Sequence, residues 1–178
     1  MSGRCLVLGG AACVWDDAER ALDLSEFDGV VACKRIVERW AGPLAAFATL
    51  HPETARASLA NRKAAGYSME FVTVTIGGEA HERHAKTLPN VRLTSDWGGS
   101  SGLFGVKAAR LLGFDRVVLA GIPMAASPHF DRDQPWCFAH SYHKGWSAHA
   151  HQLAPFVRSM SGWTASLFGL PTADWLNN

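Results

Sequence analysis

Residues 99–124 read Gly99-Ser-Ser-Gly-Leu-Phe-Gly-Val-Lys-Ala-Ala-Arg-Leu-Leu-Gly-Phe-Asp-Arg-Val-Val-Leu-Ala-Gly-Ile-Pro-Met124. The turn from Gly98 to Gly102 is built of small residues and opens a helix. Leu103, Val106, Ala109, Leu111 and Leu112 give that helix an apolar face. Gly113 stops it, and Val117 to Ala120 form a short strand that is apolar throughout. Free backbone N–H groups at a helix start, flanked by the hydroxyls of Ser100 and Ser101, suit a phosphate or a carboxylate. The same serines also serve as ordinary helix caps, and the spacing alone leaves both readings open.

Working outward, the same alternation recurs. Cys5 to Leu8 is an apolar run ending at Gly9-Gly10, and a helix follows over about Val14 to Leu22. Val30 to Cys33, Ala46 to Leu50, Phe71 to Ile76 and Val91 to Thr94 read as further strands. Ile36 to Trp40 and Glu53 to Ala65 read as helices, stopped at Gly42-Pro43 and Gly66. Strands alternating with helices predict an α/β, Rossmann-like, doubly wound and mainly parallel sheet. Residues 1–178 form a single domain in this reading, with an α/β core over 1–124 and a lid and C-terminal helices over 125–178. The lid covers residues 125–150, which lack periodicity, and short helices are expected near His149 to Met160 and Trp163 to Phe168. Four tryptophans, Trp136, Trp146, Trp163 and Trp175, mark this last part as one that folds over the rest.

Composition narrows the function classes. The formal charge is +1 and no long basic stretch occurs, so a nucleic-acid partner is not expected. No apolar run reaches the about 18–20 residues of a membrane span, and no signal-peptide pattern precedes Cys5. Cys5, Cys13, Cys33 and Cys137 lack zinc-type spacing, and the first three lie in or beside apolar runs. They predict free thiols in a reducing, cytoplasmic setting.

In a parallel sheet, ligands bind beyond the C-terminal strand ends, where four segments should meet. Gly9-Gly10-Ala11-Ala12 lets a ligand approach the backbone, or makes a tight turn. Lys34-Arg35, directly after a strand, suits phosphate, or starts a solvated helix. His51 can meet a base or a sugar, or bond backbone. Asp96, ahead of Ser100, Ser101 and Gly102, can hold ribose hydroxyls or a metal, or cap a turn. The lid carries His129, Asp131, Asp133, His140, Tyr142, His143, Lys144, His149 and His151. A histidine there is a candidate general base, and Tyr142 a candidate proton donor to a leaving group. His140 and His143, with His149 and His151, lack a tight zinc signature, so no metal is assigned. His81 and His84 lie in a polar loop and are assigned nothing.

Gly99-Ser100-Ser101-Gly102, an apolar helix, Leu112-Gly113-Phe114 and Val117 to Ile122 together resemble a shared signature. It belongs to bacterial CMP-dependent sialyltransferases and to hydroxymethylpterin diphosphokinase-like Rossmann domains, which include motility accessory factors. The similarity extends over about two thirds of the chain, from Leu8-Gly9-Gly10-Ala11 and through Lys34-Arg35. Residues 159–163 also resemble uncharacterised bacterial and prophage proteins.

The resemblance implies that Gly9, Gly10, Arg35, Ser100, Ser101 and Gly102 hold a nucleotide, and that a lid histidine and tyrosine act on the acceptor and the departing phosphate. His140, Tyr142 and His143 lie in the expected lid region. Lys34 stands where asparagine is usual, Ala12-Cys13 where Pro-Ser is common, and Ile122-Pro123 where an aspartate is frequent. The resulting expectation is a nucleotide-dependent transferase, most like a glycosyltransferase using a CMP-activated sugar as donor. In it, His140 or His143 is the base, Tyr142 assists the leaving group, and no tightly bound cofactor is needed. One alternative is a pterin-type diphosphokinase using ATP and Mg²⁺, with Asp96, Asp131 and Asp133 as ligands. The other is a non-catalytic, phage-related binding or assembly module, which the three substitutions favour.

Overall fold

A computed structural model describes residues 3–178, with only the backbone described at 133 and 134. Seven of its strands form one sheet: β1 (Arg4–Leu8), β2 (Gly29–Cys33), β3 (Ala46–Thr49), β4 (Val72–Ile76), β5 (Val91–Thr94), β6 (Arg116–Ala120) and β9 (Val157–Ser159). Their order is β5-β4-β3-β2-β1-β6-β9, and every pairing is parallel. The expected doubly wound α/β sheet is present.

The continuous apolar runs explain the parallel arrangement, because both faces of the central strands are covered. Cys5, Val7, Val31, Val117 and Leu119 belong to one buried cluster, whereas Leu6, Leu8, Ala32, Val118 and Ala120 belong to the other. Successive residues thus point to opposite layers, as the pleat requires. Val30 and Val72 are only partly buried; each sits within the first two residues of its strand.

Seven α-helices are described: α1 (Val14–Leu24), α2 (Pro52–Ala64), α3 (Glu79–Ala85), α4 (Ser101–Leu111), α5 (His143–Leu153), α6 (Gly162–Phe168) and α7 (Ala173–Asn177). Helix α4 returns the chain from the β5 edge to β6 and lies across β3, β2 and β1. Gly102 to Ala109 are all buried in it. A Cβ on Gly105 would strike Cys33 Sγ and Val7, so the missing side chain sets how closely the helix meets the sheet.

Three elements differ from the sequence-based reading. Residues 79–85, expected as a polar loop, form α3. The strand β9 lies inside the stretch expected to be helical, so the segment after residue 124 contributes an edge strand to the sheet as well as covering it. The lid contains an antiparallel hairpin, β7 (Ser127–His129) and β8 (Arg132–Trp136). Lys34–Glu38 and Ala139–Tyr142 are short 3-10 turns. Among the described residues, no helix is long and apolar enough to cross a membrane.

Candidate functional site

The chain leaves β1 towards β2 on one side, and β6 lies on the other side of β1. That reversal opens a crevice at the C-terminal strand ends. A cleft of about 320 Å³ occupies it. Gly9, Gly10, Lys34, Arg35, His51, Ser100, Ser101, Gly102 and Tyr142 all line this cleft; Asp96, His140 and His143 do not.

The glycine turn after β1 serves packing first. Gly9 N–H donates to Ala120 O at 2.8 Å, and a Cβ on Gly9 would collide with the Gly121 carbonyl and Ile122. Gly121 itself has φ +67°, and its N–H donates to Asp17 Oδ2 at 3.0 Å. Ser161 Oγ donates to the same oxygen at 2.6 Å. Asp17 is buried in the first turn of α1 and fixes the loop after β6 from behind. Sequence reading did not single it out, although an acid one turn beyond a glycine turn was the available signal.

Lys34 follows β2 with φ +55°, a left-handed conformation that costs a lysine about 1 kcal/mol or more. It has no carboxylate partner among the described residues. Desolvation by the cleft wall lowers its pKa below the ordinary lysine value, against a smaller opposing effect of Cys33. Burial pushes the Cys33 thiol up to about 12, which keeps it protonated and unreactive. Arg35, by contrast, is engaged: its Nε lies 3.5 Å from Glu38 Oε1, and its Nη1 pairs with Asp131. Burial opposes ionisation of Glu38, but hydrogen bonds from Ser58 and Asn61 together with Arg35 hold its carboxyl below the usual range. His51 Nδ1 meets Glu53 Oε1 at 3.0 Å at the exposed rim.

At the start of α4, Ser100 Oγ accepts from Leu103 N at 3.4 Å and from the buried indole Nε1 of Trp146 at 3.0 Å. Ser100 is therefore a cap tied to α5, while the partly exposed Ser101 faces the cleft. Asp96 is exposed outside the cleft, where its charge favours the ammonium of Lys107. Among the described residues, no group of three or more His, Cys, Asp or Glu side chains gathers to hold a metal ion. The side chain of Asp133 lies outside the described atoms.

The β7–β8 hairpin roofs the cleft and is stitched to the glycine turn. Ala12 N–H donates to Pro128 O at 2.9 Å, and Phe130 N–H to Gly10 O at 3.0 Å. His129 lines the cleft, with Nδ1 3.0 Å from Gly10 O. A carbonyl only accepts, so Nδ1 carries the proton and the lone pair of the neutral ring is on Nε2. His143 does the reverse outside the wall. Its Nε2 donates to Met124 O at 2.7 Å, and its ring stacks on Trp163 at 3.8 Å. His140 is exposed. His149 stacks on Trp97 at 4.8 Å. Tyr142 stands 5.7 Å from Trp136, which in turn lies 6.1 Å from His129, forming an aromatic wall that meets the glycine turn at His129. Of the lid cluster read from the sequence, His129 is thus the imidazole at the cleft. Trp136, which the sequence marks only as part of the segment that folds over the rest, also lines the cleft.

The arrangement combines a cation with no carboxylate partner among the described residues, a helix start, an oriented imidazole and a phenol in one crevice. No family model matches the sequence, and no curated protein matches it. Solved structures do resemble it. The sialyltransferase CstII from Campylobacter jejuni in complex with cytidine-5'-monophosphate is 15% identical, with a TM-score of 0.62 over 97% of this chain and 87% of that one. The same enzyme with CMP-3FNeuAc is 14% identical, with a TM-score of 0.63 over 99% and 88%. A further CST-II structure with CMP reaches 0.65 at 15% identity, over 96% and 87%. At these identities the likeness concerns the backbone: this chain shares the fold of those sialyltransferases, over nearly its full length.

Proposed function

We propose that the cleft binds a CMP-activated sugar and transfers the sugar to an acceptor hydroxyl. The observation that carries this reading is Lys34, a cation with no carboxylate partner among the described residues, which lines one cleft with the α4 turn at the switch point of a fold shared with CMP-bound sialyltransferases. Lys34 and the first N–H groups of α4 neutralise the phosphate. The acceptor oxygen attacks the anomeric carbon, the bond from that carbon to the phosphate oxygen breaks, and its electron pair leaves with CMP. The acceptor proton passes to a lid imidazole. The geometry supports His129 for this role, through Nε2, because its ring is oriented by Gly10 and opens to the cleft. His143 supports the wall at Met124, and Tyr142 donates a hydrogen bond to the departing phosphate.

Thermal denaturation with CMP, cytidine, ATP and a CMP-activated sialic acid tests the reading. CMP and the CMP-sugar should raise the melting temperature, with the logarithm of their concentration over Kd once above Kd, and cytidine should not. If no cytidine nucleotide stabilises the protein, the reading fails. Release of CMP from the CMP-sugar in the presence of sugar acceptors then tests transfer.

A further inference from the structure

Arg35 and Asp131 reach each other from opposite sides of the cleft. Arg35 is the second residue of the 3-10 turn after β2, and Asp131 sits at the tip of the β7–β8 hairpin. The Asp131 carboxylate pairs with Arg35 Nη1, and Arg132 Nε lies 4.0 Å from its other oxygen. The Asp131 side chain is only 12% exposed, against 48% for Arg35. Lys34, Arg35 and Arg132 bring positive charge to the cleft, and Asp131 is the one carboxylate among the described lining residues.

A carboxylate facing a guanidinium offers the same acceptor oxygens as a phosphate. The ion pair is not what holds the hairpin down. Hydrogen bonds from Ala12, Phe130 and His129 and the antiparallel bridge between Ala11 and His129 already do so. A half-exposed arginine also adds little stability through such a pair. Its main consequence is that Arg35 is occupied.

We infer that Asp131 is a specificity-determining residue of the cleft. It acts as a resident anion that holds Arg35 when the cleft is empty and yields it to the phosphate of an entering nucleotide. The inference rests on the nucleotide reading above. The exchange is non-covalent: Arg35 trades one anionic partner for another, and the released carboxylate keeps Arg132. An uncharged nucleoside has nothing to exchange. A phosphate gains Lys34 and the α4 N–H groups as well as Arg35, so it displaces the carboxylate. The contact thereby raises the threshold against weak anions.

A double-mutant cycle tests this. CMP affinity is measured by calorimetry at low ionic strength for the wild type, Asp131→Asn, Arg35→Met and the double variant, each shown folded by its melting curve. Asp131→Asn should bind CMP about tenfold tighter than the wild type, and Arg35→Met more weakly. In the Arg35→Met background, Asp131→Asn should change affinity less than about twofold. Unchanged or weaker CMP binding by Asp131→Asn overturns the inference. So does an equal gain with and without Arg35, which would mean that Asp131 acts through its field on the whole cleft. If the wild type binds no CMP, the nucleotide reading fails separately. Inorganic pyrophosphate titrated into the same four proteins then decides the exchange: an Arg35-dependent gain in Asp131→Asn supports it, and no gain or no binding overturns it.

Discussion

Asp17 and Gly121 are 104 positions apart, yet the carboxylate of one accepts the backbone N–H of the other at 3.0 Å inside the core. This hydrogen bond joins the first turn of α1 to the loop after β6, and so fixes the floor of the cleft. Asp17→Ala leaves the Gly121 N–H and the Ser161 hydroxyl without that acceptor. Stability should fall by about 2–4 kcal/mol, read from urea unfolding. Asp17→Asn keeps one acceptor oxygen and should cost less. Equal losses in the two variants would show that the charge, not the acceptor, is what matters.

Arg62 is fully buried without a carboxylate partner among the described residues. Its guanidinium donates instead to the carbonyls of Ser68, Val37, Trp40 and Gly42 at 2.6–3.1 Å. One side chain thus gathers the end of α2, the turn after β2 and the approach to β3. Arg62→Ala should cost about 3–5 kcal/mol in urea unfolding, because four carbonyls lose their donor at once. Arg62→Lys should recover only part, since an ammonium cannot reproduce the planar fork.

Two of the lid histidines with oriented rings, His129 and His143, should separate by assay. His129→Ala should lower kcat for sugar transfer about 10²- to 10⁴-fold and leave CMP affinity close to that of the wild type. His143→Gln should instead shift the melting temperature, because the Met124 carbonyl and the Trp163 stack lose their partner. Normal turnover in His129→Ala would remove it as the base.

If the cleft takes CMP as proposed, Lys34 should set an alkaline limit on its binding. Its pKa lies below the ordinary lysine value because the cleft wall desolvates it. The sign follows directly. Below that lowered pKa the ammonium is charged and attracts phosphate; as pH rises through it, the charge and the attraction are lost. CMP affinity should therefore decline at a lower alkaline pH than an ordinary lysine would set. Lys34→Arg, charged throughout, should flatten the profile, and calorimetry across the alkaline range checks it.

The parallel sheet was legible because burial on both faces writes itself locally, as short apolar runs such as Leu6-Val7-Leu8 and Val117 to Leu119. Once the strands are parallel, their exits gather at one edge, which is why Gly10, Lys34 and Ser101 could be expected together from sequence alone. Other features depend on partners far along the chain. Strand β9 has three residues, too few for a periodic signal, and exists through its pairing with β6. Helix α3 is polar and packs on α2, a contact that no local pattern announces. Eight histidines look alike in a sequence. Only the folded chain aims His129 at Gly10 inside the cleft and turns His143 to Met124 outside it. The central strands and their parallel character were thus determined by local chemistry, whereas the strand order with its edge strand β9, and the assignment of each side chain to cleft, wall or surface, were decided by long-range pairing, because a hydrogen bond between distant residues leaves no mark on either one's neighbours.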